Sequence, residues 1–356
     1  MRAKPQDLLR EEILALQAYH VPEASGFVKL DAMENPYPLP PPLRARVAQL
    51  AANAPINRYP DAGAVALKAR LRQAMNIPAG ADLLLGNGSD EIIQMLTMGV
   101  ARPDAVILGV EPSFVMFRMI AALVGVRFVG VPLRAGDFGL DRDAVLGAIR
   151  EHRPALVFLA YPNNPTGNLF DRDALTRIIE TAPGLVVIDE AYHVFAAESF
   201  LPLVTAHDNL LVMRTVSKLG LAGLRLGFAA GSAQWLQQFD KLRLPYNVNV
   251  LSQLVAETVL AEYEVLAEQA WAIREERGRL FEGLSALRGV TAFPSRANFI
   301  LFRVSDATGV FERLKQRRIL IKNLHGSHPL LAGCLRVTVG TPQENRTFLS
   351  ALSDSL

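Results

Sequence analysis

The chain has 356 residues, 50% of them hydrophobic, and its 37 Lys and Arg against 35 Asp and Glu leave a formal charge of +2. That balance supplies no basic footprint for nucleic acid or an anionic membrane. The lone cysteine, Cys334, excludes an intramolecular disulfide and the cysteine-rich zinc patterns.

The N-terminus alternates charged and apolar residues and lacks the uninterrupted apolar core of a secretory signal. Leu8, Leu9, Glu12, Ile13 and Leu16 are spaced for a short amphipathic helix. No run reaches the ~18 apolar residues of a membrane span, so the chain reads as soluble and cytoplasmic. Residues 1–29 are expected to form an arm, packed on a smaller domain or on a partner subunit. A short strand at 27–30 leads into LDAMENP, and helices at 41–51 and 64–75 flank the polar turn INRYPD, which carries Tyr59. A strand at 82–85 then meets Gly86-Asn87-Gly88-Ser89-Asp90-Glu91 and a helix at 91–98. Strand, glycine-bearing turn and helix aim backbone N–H groups at an anion. Ser89 can cap that helix or donate its hydroxyl.

Alternation follows, with strands at 104–110, 127–131, 155–160 and 185–188 separated by helices at 113–123, 141–152 and 171–181. Short apolar strands between helices predict a mostly parallel sheet covered on both faces. Ligands gather beyond the carboxyl ends of such strands. There stand Glu111-Pro112-Ser113-Phe114, Tyr161-Pro162-Asn163-Asn164-Pro165-Thr166-Gly167, Asp189-Glu190-Ala191-Tyr192 and Ser217-Lys218. The expected organisation is α/β, a large domain over 30–240 and a smaller α/β domain over 241–356. The smaller one holds a long helix at 264–287 and strands at 289–293, 298–304, 319–321 and 334–339.

Lys218 sits where the apolar run 210–213 breaks into a polar turn. A lysine there can be desolvated, lose its proton and condense with an aldehyde. Ser217 and Arg225 beside it are phosphate ligands by type. An amine beside phosphate donors suggests pyridoxal phosphate, against the blander reading of a solvated turn lysine. That cofactor also needs an acid at its pyridine nitrogen, donors to its phenolate oxygen and a slab on its ring face. Asp189 ends an apolar strand, where a carboxylate is costly unless a cation meets it; capping the next helix is its alternative role. Asn164 and Tyr192 can donate hydrogen bonds to the phenolate. Phe114 offers a ring face or a core side chain.

In this order AYPNNPTG, VVIDEAYHVF, RTVSKLGLAGLRLGF and CLRVTVGT resemble the signature blocks of fold-type I pyridoxal-phosphate-dependent aminotransferases. LDAMENP, RYPD, GNGSDE and DEAY narrow the resemblance to the histidinol-phosphate aminotransferases, over about 30–341. The resemblance implies that Lys218 carries the Schiff base, Asp189 pairs the pyridine nitrogen, and Asn164 and Tyr192 hold the phenolate. It implies a phosphate cup of Ser217, Arg225 and the backbone amides of Ser89 and Asp90, with Tyr59 reaching in across a homodimer. Arg336 would bind the anionic group of the substrates, L-histidinol phosphate and glutamate or 2-oxoglutarate, and Tyr19 would be a further substrate contact.

Two positions depart from the family pattern. Phe114 stands where a tyrosine is usual, and Lys322 stands where an arginine is usual, keeping the charge without the bidentate fork. Rival readings are an aromatic amino acid aminotransferase and a phosphothreonine-type decarboxylase on the same fold. A nucleotide-dependent oxidoreductase is disfavoured, because Gly86-Asn87-Gly88 does not continue as a dinucleotide fingerprint: position 91 is Glu. His325 and His328 lie in a loop without further ligands suited to zinc, so no metal is expected.

Overall fold

A computed structural model describes residues 3–16 and 22–356. Its strands in chain order are β1 (Val28–Lys29), β2 (Asp82–Gly86), β3 (Val106–Glu111), β4 (Arg127–Pro132) and β5 (Leu156–Ala160). Next come β6 (Leu185–Asp189), β7 (Leu210–Thr215), β8 (Gly227–Gly231) and β9 (Thr291–Ala292). The last are β10 (Phe299–Arg303), β11 (Ile319–Leu320), β12 (Lys322–Asn323) and β13 (Cys334–Thr338).

A seven-stranded sheet runs in the order β2-β8-β7-β6-β5-β3-β4. The central strands β5, β6 and β7 are buried along their whole length, which is why they read as unbroken apolar runs. β8 is antiparallel to both neighbours, while β3, β4, β5, β6 and β7 pair in parallel. The register sets Ala160 opposite Asp189 and Asp189 opposite Met213, so the carboxyl ends of the central strands finish level. Asp141 and Asp171 cap the helices Arg142–His152 and Arg172–Thr181 by accepting from Ala144 N and Ala174 N.

A four-stranded sheet, β12-β13-β10-β9, and the parallel pair β1-β11 form the second assembly. The long helix Tyr263–Ala286 buries Leu266, Ala270, Ile273, Leu280 and Leu284, a helical spacing that presents one face to the core. One apolar cluster joins Ala270, Ile273, Phe299, Val337 and Phe348 to Leu30, Met33, Tyr192 and Phe195. The segment after β6 thus packs on the smaller sheet through Tyr192, whose ring meets Phe299 edge-on with centroids 5.1 Å apart. The helix Val250–Leu260 contributes Val255, Ala256 and Val259 to the cluster that includes Leu67 and Leu219.

The N-terminal segment is two four-residue helices, Pro5–Leu8 and Glu11–Leu14, rather than the one expected. Leu9 and Arg10 between them are extended, and Leu8 is 76% exposed. Arg10 Nη2 donates to Leu123 O and breaks the segment there, and a four-residue helix gains little from propensity alone. Tyr19 lies outside the described residues. Among those described, no helix is long and apolar enough to cross a membrane.

Candidate active site

The carboxyl ends of β5, β6 and β7 open on a cavity of about 110 Å³. Met33, Ser89, Asp90, Phe114, Asn164, Asp189, Tyr192, Ser217, Lys218 and Arg225 all line it. One cavity therefore collects residues that are spread from position 33 to 225 in the chain.

Lys218 follows β7 on a turn of five residues, Ser217–Leu221. Its Nζ donates to Ala32 O at 3.0 Å. Burial, reinforced by the charge of Arg336, pushes its amine down to about 8, so a neutral nitrogen is accessible near neutral pH. Asp189 is the last residue of β6 and is buried. Its Oδ1 accepts from Ala191 N at 3.0 Å, a local turn contact; the next helix, His193–Phe195, starts after Tyr192 without a side-chain cap from Asp189. Burial pushes its carboxyl up to about 7, against the lowering effect of that hydrogen bond, and Asp90 and Glu190 add to the rise. A carboxylate held this way is poised for a cation at its cavity side.

Asn164 Nδ2 and Tyr192 Oη are 3.3 Å apart, and burial pushes the Tyr192 phenol well above its ordinary value. Arg336, on β13, reaches Asn164 Oδ1 through Nη1 and Asp31 O through Nη2 at 3.2 Å. Its guanidinium also lies 5.2 Å from the Phe299 ring centroid. Phe114 packs edge-on against Phe117, with ring centroids 5.6 Å apart.

Opposite these, the helix Ser89–Val100 begins at Gly88, which has φ 79° and makes no side-chain cap hydrogen bond. Its first N–H groups are therefore available to an anion. Arg225 is 3.5 Å from Asp90, and a Cβ on Gly88 would stand 2.7 Å from Arg225 Nη2. A Cβ on Gly227 would stand 2.7 Å from Ser89 N. The two glycines let the turn, the arginine and β8 close together. Ser217 Oγ lies 2.9 Å from Thr215 Oγ1.

Two predicted residues stand apart from this cavity. Tyr59 is 80% exposed and stacks on Tyr246 at 4.3 Å. Lys322 pairs in register with Arg336 across β12 and β13. The loop histidines shape turns: His325 Nδ1 accepts from Gly333 N at 2.9 Å, and His328 Nδ1 from Leu330 N at 3.2 Å.

The sequence reading overlooked Glu190 and Arg214. Glu190 Oε2 accepts from Arg214 Nε at 3.0 Å and Nη2 at 2.8 Å, and both Glu190 carboxylate oxygens accept from Ser199 Oγ. The pair is buried, with side-chain exposures of 7% and 0%, and it fastens the end of β6 to β7 directly behind Asp189. The signal was present: a second acid beside Asp189, and an arginine inside an apolar strand. Glu190→Ala leaves Arg214 buried without its carboxylate, so we expect a loss of about 3–5 kcal/mol of stability. Denaturant unfolding would measure it, and an unchanged midpoint would contradict the role.

Residues 25–352 match the family described as aminotransferase class I and II. The chain belongs to this family. The aminotransferase is 56% identical over 354 residues to histidinol-phosphate aminotransferase 1 of Ralstonia nicotianae, covering 98% of this chain and 94% of that one. Histidinol-phosphate aminotransferase 2 of Cupriavidus pinatubonensis is also 56% identical, over 98% of this chain and 96% of its own. In fold, the aminotransferase is similar to the crystal structure of histidinol-phosphate aminotransferase from Sinorhizobium meliloti in complex with pyridoxal-5'-phosphate. The TM-score is 0.87 at 24% identity, covering 98% of this chain and 97% of that one. The aminotransferase depends on pyridoxal phosphate, and its cavity fits that group. The cavity offers a buried amine, a buried acid awaiting a cation, an aromatic face and a helix start beside an arginine.

Proposed function

We propose that this aminotransferase moves the amino group between L-histidinol phosphate and 2-oxoglutarate, as a cytoplasmic homodimer. One observation carries the substrate: 56% identity across 98% of the chain to a histidinol-phosphate aminotransferase.

When bound, pyridoxal phosphate supplies an aldehyde for the amine and an electron sink for the bond broken at the substrate Cα. Lys218 would hold the cofactor, and its neutral Nζ would serve as the acceptor for the substrate Cα proton. Asp189 would hold the pyridine nitrogen and favour its protonated form. Asn164 and Tyr192 donate to the phenolate oxygen, and Phe114 covers one ring face. Ser217, Arg225 and the N–H groups of Ser89 and Asp90 hold the phosphate. Arg336 binds the anion of either substrate, since one planar guanidinium matches phosphate and carboxylate alike. Lys322, opposite Arg336 on β12, and Tyr19 are the further substrate contacts.

The homodimer reading is supported by an outward apolar surface. Tyr59 is 80% exposed, and Ile56, Val65 and Leu244 are 75%, 70% and 73% exposed. Scattered apolar residues are ordinary, but a stacked tyrosine pair with three exposed apolar residues close by in the chain supports a contact surface. A second copy would cover it, and Tyr59 would reach the partner's cofactor phosphate. In this reading residues 1–29 are the arm, 30–240 the cofactor domain and 241–356 the smaller domain that brings Arg336.

The test compares L-histidinol phosphate with L-phenylalanine as amino donors to 2-oxoglutarate. We expect kcat/KM at least about a hundredfold higher for histidinol phosphate, about 2.7 kcal/mol of differential transition-state binding. A preference for phenylalanine would assign the enzyme to aromatic amino acids instead. Release of carbon dioxide without amino transfer would assign it to decarboxylation.

A further inference from the structure

Met33 is a left-handed residue, φ 54°, in a segment that lines the cavity. A methionine gains nothing from that conformation, which persists only where its surroundings over-determine it. Two side chains do so from the two sides of the residue. Thr338 Oγ1 accepts from Met33 N at 2.9 Å, and Asn298 Nδ2 donates to Met33 O at 3.0 Å. Both are buried. Asn298 Oδ1 has no hydrogen-bond partner among the described residues.

The preceding two residues are held as well, by groups already placed in the site. Arg336 Nη2 donates to Asp31 O at 3.2 Å, and Lys218 Nζ donates to Ala32 O at 3.0 Å. Thr338 stands two positions after Arg336 on β13, so the two side chains project from one face of the strand. The same strand face therefore grips Asp31 and Met33, with Ala32 on the amine between them.

We propose that Thr338 and Asn298 are positioning residues for substrate binding. By clasping Met33 they fix the Asp31–Met33 backbone beside the cavity and keep the Asp31 carbonyl registered on Arg336. The kinetic arm of the test rests on the transamination reading above; the exchange arm does not.

The experiment introduces Thr338→Val, which keeps shape and strand propensity, and Asn298→Ala. Each is made in the Met33 protein and in Met33→Gly, and studied as the cofactor-loaded enzyme. For Thr338→Val we expect KM for the amino donor to rise about tenfold with kcat within about threefold, the worth of one lost hydrogen bond to binding. Amide exchange in the peptide covering 30–36 should accelerate by at least about tenfold, because the Met33 N–H loses its acceptor. Glycine takes the left-handed conformation without steric cost, so in Met33→Gly the same substitution should move KM less than about threefold.

Unchanged exchange over 30–36 would overturn the proposal. So would a KM effect of equal size in the glycine background, which would mark Thr338 as packing only, or a fall in kcat with KM unmoved. Should Asn298→Ala fail to fold, Thr338→Val carries the decision alone. Absence of wild-type turnover with histidinol phosphate would sink the substrate reading, while the exchange measurement would still decide the clasp.

Discussion

Replacing Lys218 with Ala is expected to cut transamination by at least about a thousandfold, since the variant loses both the covalent anchor and the proton acceptor. The fold should survive. Among the described residues the side chain donates one hydrogen bond, to Ala32 O, and its burial is a burden that pushes the amine down to about 8. The linkage has a definite sign. A lysine depressed in the folded chain contributes full stability only above its ordinary value near 10.5, and that contribution is lost as pH falls through about 8. At neutral pH the cofactor-free variant should therefore melt no lower than the cofactor-free wild type. Borohydride reduction followed by denaturation should leave cofactor absorbance attached to wild-type chain and none attached to the variant. Undiminished turnover would exclude Lys218 as the catalytic amine.

Much of this site was legible because its residues sit where apolar runs stop. Asp189, Lys218 and the Asn163-Asn164 turn each follow a strand whose burial demands a continuous hydrophobic stretch. A polar group at such a break is conspicuous in the sequence, and the parallel order then brings the breaks together. The phosphate end was legible through its glycines, which mark close approach of backbones.

Other features left no such mark. The direction of β8 is not written in its composition, since buried strands of either sense are apolar. The one hint was length: residues 216–226 between β7 and β8 are too short a connection for a parallel crossover. The clasped segment Asp31–Met33 works through main-chain carbonyls, which every residue possesses, so no side-chain pattern announces it. Glu190 was hidden by its neighbour, because one acid at the strand end seemed explained and the second was read as part of the same motif. The N-terminal helix failed in the opposite sense: the spacing was right, but Leu9 and Arg10 are extended and split it, with Arg10 bonded to Leu123 O.

Asp189→Asn should lower kcat by roughly a thousandfold or more while making the cofactor-free protein more stable at mildly alkaline pH. The two effects have one cause. In the cofactor-free chain, burial with help from Asp90 and Glu190 pushes the Asp189 carboxyl up to about 7. A carboxyl raised on folding contributes its full stability below its ordinary value of about 3.9 and loses it as pH rises through 7. Above that pH an ionised group is buried with only the weak pull of Lys218 to offset it, at a cost on the order of a few kcal/mol. Asparagine keeps the shape and carries no charge, so the melting temperature of the cofactor-free variant should exceed that of wild type at pH 8. The gap should close as pH falls toward 4, where the wild-type carboxyl is protonated in both states. Loading with pyridoxal phosphate should shrink or reverse the gap, because the protonated ring nitrogen gives the wild-type carboxylate its counter-charge. A gap that ignores pH would remove the titration of Asp189 from the account. An asparagine variant with wild-type turnover would remove Asp189 from the ring nitrogen altogether.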